Sequence, residues 1–74
     1  MNQIDKKERF KRLATSRTTN VLRALKVLGN CSNSSAYAYS SKEIEMIFGA
    51  IEKQLKSVKS KFQNATEGEI EFKL

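Results

Sequence analysis

Residues 40–62 read SSKEIEMIFGAIEKQLKSVKSKF, and the spacing of their large apolar side chains decides the fold. These side chains recur at intervals of four, three, four, three and four residues, which places them in one stripe along an α-helix. The pattern predicts a helix over about 41–63 with an apolar face about five turns long. The stripe consists of Ile44, Phe48, Ile51, Leu55, Val58 and Phe62.

The start of this helix carries a capping signal. Ser40 stands at the N-cap position and Glu43 three residues later, which is the pattern of a capping box. Tyr39 and Ile44 stand on either side of this pair, at the positions of a hydrophobic staple. The sequence therefore predicts that the helix begins directly after Ser40.

The first half of the chain repeats the same spacing. It predicts a helix over about 5–28, in which Asp5 and Glu8 lie near the start, where the helix dipole favours acids. Gly29 and Asn30 follow the last apolar residue and predict a C-cap. The second stripe consists of Phe10, Ala14, Arg17, Val21, Ala24 and Leu28.

The two stripes match as mirror images when the chain is folded back on itself. Small residues of one stripe then tend to face large residues of the other, as interdigitating layers require. We therefore expect an all-α fold in which residues 1–74 form a single domain, an antiparallel two-helix hairpin closed by a loop over 29–40. The facing pairs are Phe10–Phe62, Ala14–Val58, Arg17–Leu55, Val21–Ile51, Ala24–Phe48 and Leu28–Ile44.

The tail over 64–74 has a different pattern. Glu67, Glu69 and Glu71 alternate with Ile70 and the apolar residues that follow, which is the periodicity of a strand. Terminal segments of this length are also often frayed. The tail is therefore predicted as either a short strand or a mobile end.

The small size of the chain points to self-association. A single core of 74 residues rarely supplies more than about 3–5 kcal/mol, and one cysteine with no histidine allows neither an internal disulfide nor a zinc site. We therefore expect a homodimer, with two hairpins forming a four-helix bundle. The alternative is that the loop tyrosines and the tail cover the remaining apolar side chains within one chain. The candidate dimer interface is Leu22, Val27, Met46, Ile47, Gly49 and Ala50.

The net positive charge of the chain comes from one segment, because the charges of the other segment cancel. Residues 1–30 carry eight basic and two acidic side chains, a net charge of +6, whereas residues 31–74 carry six of each. A one-sided basic segment attracts polyanions, and nucleic acid, DNA or RNA, is the commonest. An acidic protein partner and a merely solvated face are the alternatives. The candidate nucleic-acid-binding residues lie opposite the first stripe and are Arg12, Thr15, Ser16, Thr19, Arg23 and Lys26.

The sequence contains no recognisable catalytic motif, cofactor-binding motif or membrane-spanning segment. No histidine is present to activate Cys31 as a nucleophile, and this cysteine is expected to be a small packed side chain. No glycine-rich phosphate loop or carboxylate pair is recognisable, so we expect neither an enzyme nor a bound cofactor. No apolar run approaches the roughly 18 residues of a membrane span, and the N-terminus lacks a signal-peptide pattern. The expected location is the cytoplasm.

Two stretches also carry a resemblance to other proteins. The segments RFKRLATSRTTNVLRALKVLGNCSN and YAYSSKEIEMIFGAIEKQLKSVKSKF, within residues 9–62, resemble a loose group of short bacterial helical-hairpin proteins. The resemblance implies a bacterial or mobile-element origin, attaches no activity, and places Cys31 where an aliphatic residue is expected. The leading hypothesis is a small nucleic-acid-binding accessory or regulatory protein. The alternatives are a protein-interaction module, such as an adaptor or inhibitor of phage or plasmid type, and a structural oligomer.

Overall fold

The computed structural model describes the backbone of residues 3–70 and the side chains of residues 5–65. Across this backbone the chain is helical with no strand, which confirms the predicted all-α class. The elements are α1 (Gln3–Gly29), a single 3-10 turn (Asn30–Ser32) and α2 (Ser41–Ile70).

The chain divides into two compact units, Met1–Ala38 and Tyr39–Leu74. The first contains α1 and the 3-10 turn, and the second contains α2. Each unit is therefore described by itself.

Helix α1 is 27 residues long and follows the predicted stripe. Asp5 lies in its first turn and Lys26 in its last, the arrangement that the helix dipole favours. The helix ends at Gly29, as the sequence indicates, but this glycine is not a left-handed cap. Its φ of −59° and ψ of −25° are right-handed, because the backbone continues into the 3-10 turn, the tighter geometry that often closes a helix end.

The segment after the 3-10 turn is held by hydrogen bonds to one residue. The side-chain Oδ1 of Asn33 accepts a hydrogen bond from the backbone N–H of Ser35 at 3.0 Å. The carbonyl of Asn33 accepts from the N–H groups of Ala36 and Tyr37 at 3.1 and 2.9 Å. Asparagine favours this kind of turn because its side chain imitates a backbone acceptor. The irregular part of the predicted 29–40 loop is thus shorter, 33–40, and locally ordered up to Tyr37.

The predicted capping box is confirmed at the start of α2. The backbone N–H of Ser40 donates to Oε1 of Glu43 at 2.8 Å, and the N–H of Glu43 donates to Oγ of Ser40 at 3.1 Å. The carbonyl of Ser40 accepts the next helical bond, from the N–H of Ile44, at 3.1 Å. Two N–H groups that a helix start otherwise leaves unpaired are satisfied here within four residues.

The end of α2 corrects the prediction for the tail. The helix runs through Ile70, seven residues beyond the predicted end at 63, so the part of the tail up to residue 70 is helix and not strand. Extending an existing helix adds one hydrogen bond per residue, whereas a strand needs a neighbour to pair with. The predicted alternation at residues 71–74 lies outside the described residues.

The apolar stripes are only partly covered. Among residues 5–65 no side chain is buried, and the four most protected stripe residues, Ala14, Leu28, Ile44 and Ile51, are half-buried. Phe10 keeps 60% of its surface exposed. Large apolar side chains are normally the most buried in a folded protein, so both stripes are surfaces that favour contact with another apolar face.

Candidate nucleic-acid interface

Helix α1 brings the six predicted nucleic-acid-binding residues onto one side. At 3.6 residues per turn they fall within a sector of about 100°, opposite the apolar stripe. All six are exposed. We call this surface the basic face, and its members are Arg12, Thr15, Ser16, Thr19, Arg23 and Lys26.

The cations of the basic face are not engaged by acids. Within residues 5–65 no carboxylate forms an ion pair with Arg12, Arg23 or Lys26. Their heads are therefore available to an anionic ligand without first breaking an internal pair. Salt screens the field of such exposed cations, which falls off over about 10 Å at 0.1 M ionic strength.

A shallow groove follows the N-terminal part of the basic face. It has a volume of about 450 Å³ and is lined by Glu8, Lys11, Arg12, Thr15 and Ser16. Glu8 places a negative charge at the edge of this groove and opposes a bound anion there. Lys11, in the same groove, offsets the charge of Glu8, so Arg12 and the hydroxyls of Thr15 and Ser16 remain there for a phosphate, and Arg23 and Lys26 continue the face toward the C-terminal end of α1.

One hydroxyl of the basic face is already used by the helix. Oγ1 of Thr19 donates to the carbonyl oxygen of Thr15, one turn earlier, at 2.9 Å. Threonine within a helix often donates its hydroxyl to the carbonyl oxygen four residues earlier. Thr19 can thus offer a ligand only its acceptor lone pairs, whereas the hydroxyls of Thr15 and Ser16 remain able to donate to a phosphate oxygen. Sequence reasoning treated the three hydroxyls alike, although the four-residue spacing of Thr15 and Thr19 permits the bond.

The predicted dimer residues do not form one patch on each helix. Leu22 and Val27 of α1 are exposed, but they lie about 140° apart around the helix axis. Met46, Gly49 and Ala50 of α2 are exposed and share a sector of about 100°. We call these three residues the small-residue patch; Ile47, 39% exposed, lies instead beside the apolar stripe.

Space is open above the small-residue patch. A Cβ atom placed on Gly49 meets no atom within 4 Å outside its own helix backbone. Met46 is the most exposed large apolar side chain there, at 66%. The patch therefore presents one long flexible side chain beside two small ones, a surface that another helix can approach closely.

Two further residues, Cys31 and Arg17, are exposed. Cys31 is exposed, which corrects its predicted role as a packed thiol; it lies in the 3-10 turn, which contains no buried residue. Arg17, the one charged member of its stripe, is also exposed. The part of the chain with described side chains holds no cluster of three or more residues that could ligate a metal ion.

Comparison with known proteins adds no relative. No protein-family model, no curated protein and no solved structure matches the chain. Between residues 3 and 70, neither helix combines the length and apolar character that crossing a bilayer requires.

Proposed function

We propose that the protein binds nucleic acid through the basic face of α1, as a small accessory or regulatory protein. The observation that carries this proposal is the exposure of Arg12, Arg23 and Lys26 on one side of a helix, with no ion pair to a described carboxylate. The whole net charge of +6 lies in the same segment of the sequence. Arginine and lysine neutralise phosphates and release the counterions bound to them, which is the main source of affinity for such proteins.

The dimensions of the basic face suit a phosphate backbone. Fourteen residue steps separate Arg12 from Lys26 in the sequence, a rise of roughly 21 Å along the helix axis. With one phosphate per 3.4 Å of each strand, this length corresponds to about six phosphates. The face contains no asparagine or glutamine, so contacts to phosphate are better supported than reading of base edges.

The proposal is tested with a triple variant and a charge-matched control. Arg12→Ala/Arg23→Ala/Lys26→Ala removes three cations from α1, and Lys53→Ala/Lys56→Ala/Lys59→Ala removes three from α2. Fluorescence anisotropy with labelled duplex DNA, single-stranded DNA and structured RNA is measured at two salt concentrations. We expect the α1 variant to lose most of its affinity for the polymer that the parent binds, and the α2 variant to lose much less.

The outcomes separate a located site from bulk charge. Equal losses in the two variants mean that net charge alone attracts the ligand, and the basic face is then not the site. Absence of binding by the parent at low salt rejects the proposal altogether. Circular dichroism at 222 nm is the check that both variants remain helical.

We further propose the architecture that would cover the apolar stripes. The matching order of small and large residues in the two stripes supports antiparallel pairing of α1 with α2, and two such hairpins joined as a four-helix bundle would give the homodimer. The absence of buried side chains among residues 5–65 supports the need for such a partner. Light scattering at micromolar concentration gives the mass of a dimer if this is correct and of a monomer if it is not.

The second candidate function is a protein-interaction module, an adaptor or inhibitor acting on another protein. The small-residue patch favours it, because an exposed methionine beside Gly49 and Ala50 suits docking of a foreign helix. An apolar complex persists at high salt, whereas a phosphate-based one does not. A host protein that remains bound to the tagged chain at high salt, and is lost with Met46→Glu, would favour this candidate.

A further inference from the structure

Tyr37 is an exposed aromatic side chain on a fixed piece of backbone. Its side chain keeps 55% of its surface exposed. Its N–H donates to the carbonyl of Asn33 at 2.9 Å, and the turn is closed further by Ser35 and Ala36. An exposed ring whose backbone is already ordered loses less conformational entropy when it binds a ligand.

Tyr37 belongs to the same compact unit as the basic face. The chain passes from Lys26 through the end of α1 and the 3-10 turn to Asn33, which covers at most about 14 Å along the axis. The hydrogen bond from Tyr37 then keeps its backbone beside Asn33. The backbone of Tyr37 thus follows the C-terminal end of α1, the end at which the basic face carries Arg23 and Lys26.

Proteins that bind single-stranded nucleic acid combine cations that follow the phosphate backbone with aromatic side chains on which bases stack. The flat face of every base can stack on an aromatic side chain, so the contact is tolerant of sequence. Inside a duplex the bases are already stacked on one another, and only the two terminal base pairs leave a free face for an external ring. The tyrosine therefore has a free base face along the whole of an unpaired strand, but only at the ends of a duplex.

We propose that Tyr37 is a base-stacking residue and that the ligand of the basic face is single-stranded nucleic acid. This inference rests on the proposed function and adds the class of polymer to it. Phosphates of the strand lie along Arg12, Arg23 and Lys26, and a base near the strand end stacks on the ring. From Arg12 to the backbone beside Asn33 the distance along the axis is at most about 35 Å, which holds about ten nucleotides at the duplex rise of 3.4 Å and fewer when the strand is extended, within the range of known single-strand sites.

Tyrosine fluorescence can report the stacking of a base on Tyr37, because the chain contains no tryptophan and only two tyrosines. Tyr39→Phe removes the second tyrosine and keeps its ring, which leaves Tyr37 as the only emitter. The probes are an oligothymidylate of about ten nucleotides and a much longer duplex, in which terminal base pairs are a small fraction of the binding sites. We expect saturating oligothymidylate to quench the emission and the duplex to leave it unchanged.

Affinity gives the second readout. Tyr37→Leu should weaken oligothymidylate binding by roughly 5- to 100-fold, Tyr37→Phe should keep it, and neither should change binding to the duplex. The phenylalanine variant separates loss of the ring from loss of the hydroxyl or of the local turn. Equal affinity of the leucine variant and the parent for oligothymidylate would overturn the stacking role.

The test also separates this inference from the function on which it depends. If the parent binds both polymers, the α1 triple variant loses that binding and the emission of Tyr37 does not change, the basic face stands and the stacking role fails. If the parent binds neither polymer at low salt, both fail together.

Discussion

Ser40 and Glu43 satisfy each other reciprocally at the start of α2. The backbone N–H of each donates to the side-chain oxygen of the other, at 2.8 Å into the carboxylate and 3.1 Å into the hydroxyl. Both residues are exposed, so these bonds, rather than burial, hold the first turn in place. The carboxylate of Glu43 lies at the positive end of the helix dipole, which strengthens the arrangement.

Loss of this cap should destabilise the helix measurably. Ser40→Ala removes the hydroxyl acceptor of Glu43 N–H, and we expect the free energy of unfolding to fall by about 1 kcal/mol. Urea unfolding followed by circular dichroism at 222 nm measures the change. Ser57→Ala, the same substitution at an exposed position inside α2, is the control and should change stability by no more than a few tenths of a kcal/mol, in the favourable direction. Equal effects at the two positions would contradict a capping role.

The right-handed backbone at Gly29 leads to an unusual expectation for a glycine at a helix end. Its φ of −59° suits any L-residue, and an added Cβ meets nothing within 4 Å. Gly29→Ala should therefore raise the free energy of unfolding by about 0.5–1 kcal/mol, mainly by restricting the unfolded chain. Thermal and urea unfolding measure it. If the backbone at Gly29 were left-handed, the alanine would lower the free energy of unfolding. Such a decrease would therefore contradict the right-handed geometry.

Gly49 gives a test of the proposed dimer. It lies inside α2, where glycine costs about 1 kcal/mol relative to alanine, and the space beyond its Cα is open. Gly49→Ala should stabilise the chain at concentrations too low for association. If another helix packs on the small-residue patch, the added methyl groups hold the two helices apart and weaken self-association. Analytical ultracentrifugation measures this, with Gly29→Ala as the matched control. Unchanged association would remove Gly49 from the interface.

The parts of the fold that could be predicted from sequence are those fixed by local chemistry. The two helices follow from apolar spacing, and the start of α2 follows from the Ser40–Glu43 pattern, because capping involves residues only three apart. The end of α2 was missed because alternation of glutamate with apolar residues over a few positions also suits a helix. Thr66 and Gly68 are poor helix formers, so the extension follows less from propensity than from the existing helix, which it continues, and from the lack of a partner for a lone strand.

The placement of the basic-face residues on one side of α1 follows from the sequence for the same reason. A period of 3.6 residues is enough to place Arg12, Arg23 and Lys26 on one side of a helix. Leu22 and Val27 were grouped in the candidate dimer interface because neither belongs to the apolar stripe. Around the helix axis they lie about 140° apart. The turn that fixes Tyr37 depends on the conformation of Asn33, and its dihedral angles cannot be read from composition.

Exposure of Cys31 predicts a reactive thiol. The side chain is exposed in the 3-10 turn, so a thiol reagent should modify it completely in the native protein, without prior unfolding. Cys31→Ser should change the free energy of unfolding by less than about 0.5 kcal/mol, as at most exposed positions. Protection of the thiol that disappears on dilution would instead place Cys31 in a contact between copies.

The salt dependence of binding counts the cations that touch phosphate. For duplex DNA the slope of log K against log salt is about −0.9 per neutralised phosphate, and for a single strand about −0.7. If Arg12, Arg23 and Lys26 each contact one phosphate, the triple alanine variant should have a slope smaller in magnitude by about 2.7 with a duplex and about 2.1 with a single strand. Titrations between about 50 and 200 mM salt measure both slopes. Parallel lines for parent and variant would show that these three cations change affinity without contacting the phosphates.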